Sequence, residues 1–152
     1  LSKSLETLSI RVDRHCENAL ALAEFLEAEE QVNWVKYPFL KSHPQYEIAS
    51  KQMKKGGNIV TFEVKGGLEA GRAFLNKIKM CSLSANLGDT RSIVTHPASS
   101  THSKLSKEER LEVGITDGLI RVSVGLENIS DIVSDLNQAL NQLKYLGTLK
   151  SN

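Results

Sequence analysis

The chain has 152 residues, 40% of them hydrophobic and 24% charged, which suits one soluble globular domain large enough to bury a core. Its 19 Lys and Arg against 18 Asp and Glu leave a net charge of +1, so electrostatics make no case for nucleic acid or a charged membrane surface. No apolar run approaches a membrane span, no signal-peptide pattern opens the chain, and the isolated Cys16 and Cys81 suggest neither a disulfide framework nor a zinc knuckle; a cytoplasmic protein is expected.

There is no initiating Met, and Leu1 stands close to a strongly helical pattern, so the sequence reads as a piece cut from a longer parent, with a processed protein as the alternative. Apolar residues at Leu5, Leu8, Val12, Cys16, Ala19, Ala23 and Leu26 recur every three or four positions, as one face of a helix from about Thr7 to Glu29 requires. Val32 to Tyr37 is a short strand stopped by Pro38, and Pro44 suits the first turn of a second helix reaching roughly Met53. Lys54-Lys55-Gly56-Gly57 breaks the chain before a strand over Asn58 to Lys65, in which Val60, Phe62 and Val64 share one face. Gly66-Gly67 turns into a helix with Leu68, Gly71, Leu75 and Ile78 as its inner positions. Arg91 to Thr95 and Leu119 to Val124 are two further strands. Between them, Ser106 with Glu109 forms a capping box that opens a short helix before Gly114. Asn128 with Asp131 is a similar start signal for the last helix, whose stripe is Ile129, Ile132, Val133, Leu136, Leu140 and Leu143. Helices and strands are mixed without a long series of βαβ units. The economical fold is α+β: a small, mainly antiparallel sheet with helices on one face and the other face free. It forms one domain over 1–152, with a lead-in helix in 1–30 and the sheet with its covering helices in 31–152.

Arg121 carries the clearest chemical signal. Period-2 alternation in Leu119-Ile-Arg-Val-Ser-Val-Gly125 puts Ile120, Val122 and Val124 toward the core, so Arg121 and Ser123 point to the face the helices do not cover. A mid-strand guanidinium there is a rigid fork suited to a carboxylate; the plain alternative is a surface Arg paired with a nearby acid. Asn86, in the turn Asn86-Leu-Gly-Asp89, could aim an amide at a ligand, or the turn could be an ordinary loop. His96 and His102 lie six apart in a loop, and His15 adjoins Cys16; neither spacing matches a metal signature, so no metal ligand is assigned. Ser99, Ser100 and Thr101 cluster near the loop histidines without a nucleophile elbow. The two Lys and two Gly of 54–57 lack the context of a phosphate loop and read as a solvated turn.

Three blocks together resemble the C-terminal domain of the Cys/Met-metabolism enzymes that depend on pyridoxal 5'-phosphate (PLP). They are Leu5-Glu-Thr-Leu-Ser-Ile-Arg-Val-Asp-Arg-His-Cys-Glu-Asn-Ala-Leu20, the stretch from Asn86 to His102, and Gly114-Ile-Thr-Asp-Gly-Leu-Ile-Arg-Val-Ser-Val-Gly-Leu-Glu127 followed by the last helix. Their order and spacing cover nearly the whole chain. Within the family the Asn-Leu-Gly-Asp and Arg-His-Cys-Glu-Asn segments look most like O-acetylhomoserine sulfhydrylases, which take O-acetylhomoserine with sulfide or a thiol to homocysteine or methionine. The resemblance implies fold type I, as in aspartate aminotransferase, where this domain closes over a large PLP-binding domain with no counterpart in these residues. It matches Arg121 to the residue that holds the substrate α-carboxylate. It matches Asn86 to the turn residue assisting that grip, where transsulfuration enzymes usually carry Ser.

On the same resemblance the Schiff-base Lys, the acid under the pyridine nitrogen and the phosphate donors belong to the large domain. PLP is therefore expected in the parent and not on this chain alone, and no lysine or other catalytic residue is assigned here. The partners implied are an amino-acid substrate, that large domain, and further copies in a homotetramer. Two rival readings remain open at this point: a γ-lyase or γ-synthase of the same family, and a free-standing regulatory domain that binds an amino acid through Arg121.

Overall fold

Three long amphipathic helices and two alternating strands supply most of the apolar surface, and their registers explain the architecture. The structure is a computed structural model that describes residues 5–83 and 89–149, the last three of these by backbone alone. Helix α1 (Leu8–Glu27) buries Cys16, Ala19, Leu22, Ala23 and Leu26 on one stripe, with His15 and Asn18 beside them. Its first turns differ from expectation. Leu8 and Val12 sit on the right period but are 45% exposed, as is Leu5 at 61%, because the sheet reaches only the helix from His15 onward.

Strands β1 (Val32–Lys36), β2 (Ile59–Val64), β3 (Ser82–Leu83), β4 (Ile93–Thr95) and β5 (Leu119–Ser123) form one sheet in the order β1-β2-β5-β4-β3. Every pair is antiparallel except β3 with β4, and an irregularity between Val32 and Trp34 interrupts the β1 register. The two-residue β3 has no sequence periodicity of its own and was not anticipated. Helices α2 (Tyr46–Gln52), α3 (Gly67–Lys77), α4 (Lys107–Glu112) and α5 (Ile129–Leu149), with a 3-10 turn at Pro97–Ser99, complete the chain. The expected capping box opens α4: Ser106 Oγ accepts from Glu109 N, and Glu109 returns a carboxylate to Ser106 N.

The core lies between the sheet and helices α1, α3 and α5. Val60, Phe62 and Val64 of β2 and Ile120, Val122 and Val124 after them in the sheet meet Leu22 and Leu26 of α1, Phe74 of α3, and Ile132, Leu136 and Leu140 of α5. Full burial of each large side chain stabilises the fold by about 1.5–3 kcal/mol. Phe74 corrects the expected α3 stripe. It is completely buried and meets the Phe62 ring edge-on at 5.7 Å, whereas Leu68, Leu75 and Ile78 are only half-buried at the margin. The fold is thus α+β with a mainly antiparallel sheet, as expected.

Candidate functional site

Arg121 stands in the middle of β5 with its neighbours Leu119 and Ser123 on the same side of the strand and the core residues Ile120 and Val122 on the other. Cross-strand registry puts Thr61 of β2 on one side of it and Thr95 of β4 on the other. Lys36 of β1 continues the same row beyond Thr61. The helix-free side is open only in part: Ile93, Thr95, Leu119 and Ser123 are buried, while Arg121, Thr61 and Glu63 are half-buried and Lys36 is exposed. The opening therefore lies over Arg121 and toward β2 and β1. Among the described residues Arg121 makes no hydrogen bond or ion pair from its guanidinium. Other cations are paired: Arg91 with Asp89 at 3.3 Å, and Arg110 and Lys107 both with Asp117 at 3.4 Å. Arg91, by its side-chain and backbone hydrogen bonds, holds the Asp89 carboxyl below the ordinary carboxylate range. A half-buried cationic fork whose donors are not spent internally is suited to a carboxylate arriving from outside.

Asn86 lies outside the described residues. The chain around it is anchored at both ends by groups that sequence reasoning did not single out. Before it, Asp135 on α5 accepts backbone N–H bonds from Lys79 (2.8 Å), Met80 (2.9 Å) and Cys81 (2.9 Å), and a side-chain bond from Gln138 (3.2 Å). Burial pushes the Asp135 carboxyl up, but these donors together outweigh it and hold the group below its ordinary value. Burial, followed by the Asp135 charge, pushes the adjacent Cys81 thiol far up, so Cys81 stays a thiol and is no nucleophile. After it, Glu127 accepts from Ser92 N through both oxygens (2.9 and 3.1 Å) and from Ser92 Oγ (2.9 Å), and Ser92 Oγ in turn accepts from Gly125 N (2.9 Å). Gly125 is required for this approach: a Cβ there would stand 2.4 Å from the Thr90 carbonyl oxygen and 2.3 Å from Glu127 Oε1. Helix α1 joins the same turn, since His15 Nδ1–H donates to the Val124 carbonyl (2.6 Å) and Asn18 donates to the carbonyls of Gly125 (3.0 Å) and Glu127 (2.9 Å).

The remaining histidines serve local structure. His96 is fully buried, its Nε2–H donating to the Asp117 carbonyl (2.6 Å) and its Nδ1 facing Ser99 Oγ (2.7 Å); burial holds its pKa below the usual value and keeps the ring neutral. Gly71 makes room for it, since a Cβ there would lie 2.3 Å from His96 Nε2. His102 faces Thr101 Oγ1 at 2.8 Å. Among the described residues no group of three His, Cys, Asp or Glu side chains could hold a metal ion. The 54–57 segment is a turn, but not a wholly solvated one: Gly56 is buried against the Tyr37 ring, and Lys55 pairs with Asp13 at 3.3 Å. No helix of the described residues is long and apolar enough to cross a membrane.

The sheet thus presents, on the face its helices leave open, a half-buried arginine that no described residue engages. The family model of Cys/Met metabolism PLP-dependent enzymes matches residues 1–141, and the chain belongs to that family. It is 53% identical over 141 residues to an L-methionine gamma-lyase of Fusobacterium nucleatum subsp. nucleatum, covering 93% of this chain and 36% of that protein. It is 47% identical over 137 residues to O-acetyl-L-homoserine sulfhydrylase 1 of Thermus thermophilus, covering 90% and 32%, and 47% identical over 141 residues to a homocysteine synthase of Schizosaccharomyces pombe, covering 92% and 33%. A crystal structure from Campylobacter jejuni subsp. jejuni, described as an O-acetylhomoserine (thiol)-lyase with N'-pyridoxyl-lysine-5'-monophosphate, superposes with a TM-score of 0.85 at 40% identity, covering 91% of this chain and 33% of that one. The chain thus spans about a third of the length of the curated relatives it matches.

The family depends on PLP, and the structural neighbour is an enzyme of fold type I. The residues described do not compose a site for that cofactor. None of the described lysines is buried, and Lys55, Lys107 and Lys144 pair with acids at the surface. No reaction step is assigned to the cofactor on this chain.

Proposed function

We propose that this chain is the small C-terminal domain of a PLP-dependent enzyme of sulfur amino-acid metabolism, and that Arg121, assisted by Asn86, binds the α-carboxylate of the amino-acid substrate. The observation that carries the reading is the Lys36–Thr61–Arg121–Thr95 row, with a half-buried guanidinium that no described residue engages. Its role is orientation. A bidentate grip on the carboxylate fixes how the amino acid is presented to groups supplied by the rest of the enzyme, and such positioning is a large part of catalysis. The catalytic lysine and the phosphate cradle belong to a large domain outside these residues, and the working enzyme is a homotetramer acting in the cytoplasm.

Two reactions are compatible with this domain. Asn86 favours an O-acetylhomoserine sulfhydrylase, and relatives bearing that activity are 47% identical to the chain. L-methionine gamma-lyases 46–53% identical support an L-methionine γ-lyase equally well. The test is a paired assay of the full-length enzyme. Homocysteine formed from O-acetylhomoserine and sulfide, without methanethiol release from L-methionine, supports the sulfhydrylase; the reverse supports the lyase. In either case Arg121→Ala is expected to lower kcat/KM for the amino-acid substrate about 100-fold while the bound-cofactor absorbance stays unchanged. Unchanged kinetics would remove Arg121 from the site.

A further inference from the structure

Two acidic side chains that the carboxylate-binding reading does not use accept backbone N–H hydrogen bonds from either side of the same segment. Asp135 gathers the N–H groups of three consecutive residues, Lys79, Met80 and Cys81, immediately before β3. Glu127 gathers both the N–H and the hydroxyl of Ser92, immediately before β4. We propose that Glu127 and Asp135 are positioning residues of the carboxylate site: they fix both ends of the 82–92 segment against β5 and α5 and so set what stands beside Arg121. The proposal rests on the reading of Arg121 given above and extends it.

The register of β4 is where the effect arises. Ile93, Val94 and Thr95 pair with Ser123, Val122 and Arg121, so the position of Ser92 determines which residue faces Arg121. A slip of one residue would replace Thr95 in that row and turn its side chain to the opposite face of the sheet. β4 is only three residues long, so its register rests on few ladder bonds. Glu127 adds a constraint to them, through three bonds to Ser92 and, by way of Ser92 Oγ, a fourth to Gly125 N just after β5. Leu126 N adds a bond to the Thr90 carbonyl at 2.8 Å, so residues 90–92 lie clamped to residues 125–127. The charge state matters because both Ser92 N–H and Ser92 Oγ–H donate to the carboxylate. A glutamine keeps one acceptor oxygen for Ser92 N and can turn its NH2 to Ser92 Oγ, which then accepts, so it loses one of the three bonds and the charge that strengthens the others. Asp135 performs the same task at the other end, where the parallel β3–β4 pairing holds only Ser82 and Leu83.

The experiment is a kinetic double-mutant cycle in the full-length enzyme, using Glu127→Gln, Arg121→Lys and their combination. Glu127→Gln is expected to raise KM for the amino-acid substrate about tenfold with kcat within about twofold and the cofactor absorbance unchanged. On the Arg121→Lys background it should add little, because the group it positions is already impaired. A loss of general stability would instead act equally on both backgrounds. The proposal is overturned if Arg121→Lys raises KM while Glu127→Gln does not, or if the two effects multiply. If Arg121→Lys itself leaves KM unchanged, the carboxylate reading fails and the proposal falls with it. Should Glu127→Gln not fold, Ser92→Ala keeps the test open: it removes only the hydroxyl bridge and should shift KM in the same direction, and an unshifted KM contradicts the proposal.

Discussion

At the scale of single residues, the carboxylate chemistry divides into groups that face inward and one that does not. Asp135 and His96 are held by burial and backbone hydrogen bonds, and each makes stability depend on pH in a direction that follows from its shift. His96 is kept below its ordinary pKa of 6.5, chiefly by burial, so the unfolded chain takes up a proton that the folded one refuses. Its contribution is complete above about 6.5 and is lost as the pH falls from there toward the folded value. Asp135 is held below the ordinary carboxylate range, so its contribution is present above about 3.9 and disappears as the pH falls through its folded pKa. Urea unfolding from pH 7 to pH 3 should therefore show stability declining below neutrality and again in the acid range. Asp135→Asn should flatten only the acid limb, and a variant with an unchanged acid limb would show that the three backbone bonds are not what holds the carboxylate. Arg121 was legible in the sequence because period-2 alternation assigns a face without knowledge of neighbours. Glu127 and Asp135 were not, because their partners are backbone N–H groups on residues 35 to 56 positions away, and no side-chain pattern marks a backbone donor.

At the scale of elements, spacing identified helices and strands that bury a full face, and failed where burial depends on what lies opposite. Strand β2 has alternate residues Val60, Phe62 and Val64 buried as read, and α5 buries Ile132, Leu136, Leu140 and Leu143. Helix α3 is the instructive exception. Leu75 and Phe74 are adjacent, so the helical period alone separates them by one step of rotation, and the choice falls to Phe62 across the interface. Truncation makes the distinction measurable: Phe74→Ala should cost about 3–5 kcal/mol of unfolding free energy, with Leu75→Ala costing clearly less. Equal costs would mean that α3 is rotated from the orientation described. The exposed first turns of α1 follow the same logic, because a periodic stripe buries only as far as the sheet beneath it extends.

At the scale of the molecule, one sheet carries two different surfaces. The helix-covered face is a closed apolar core, and the other face is open over Arg121, Thr61 and Glu63. The order β1-β2-β5-β4-β3 places Arg121 on the central strand, flanked on both sides by paired strands and therefore rigidly held. None of the described lysines is buried, and the chain spans about a third of the length of the relatives it matches. Under the function proposed above, the rest of the site is carried by the same polypeptide. The most direct measurement is the mass and visible absorbance of the native gene product purified from its source cells. A species about three times the 16.8 kDa of this chain, yellow with bound PLP, is the expected result. A colourless protein of 16.8 kDa that still binds an amino acid through Arg121 would contradict the account and make this a free-standing binding domain.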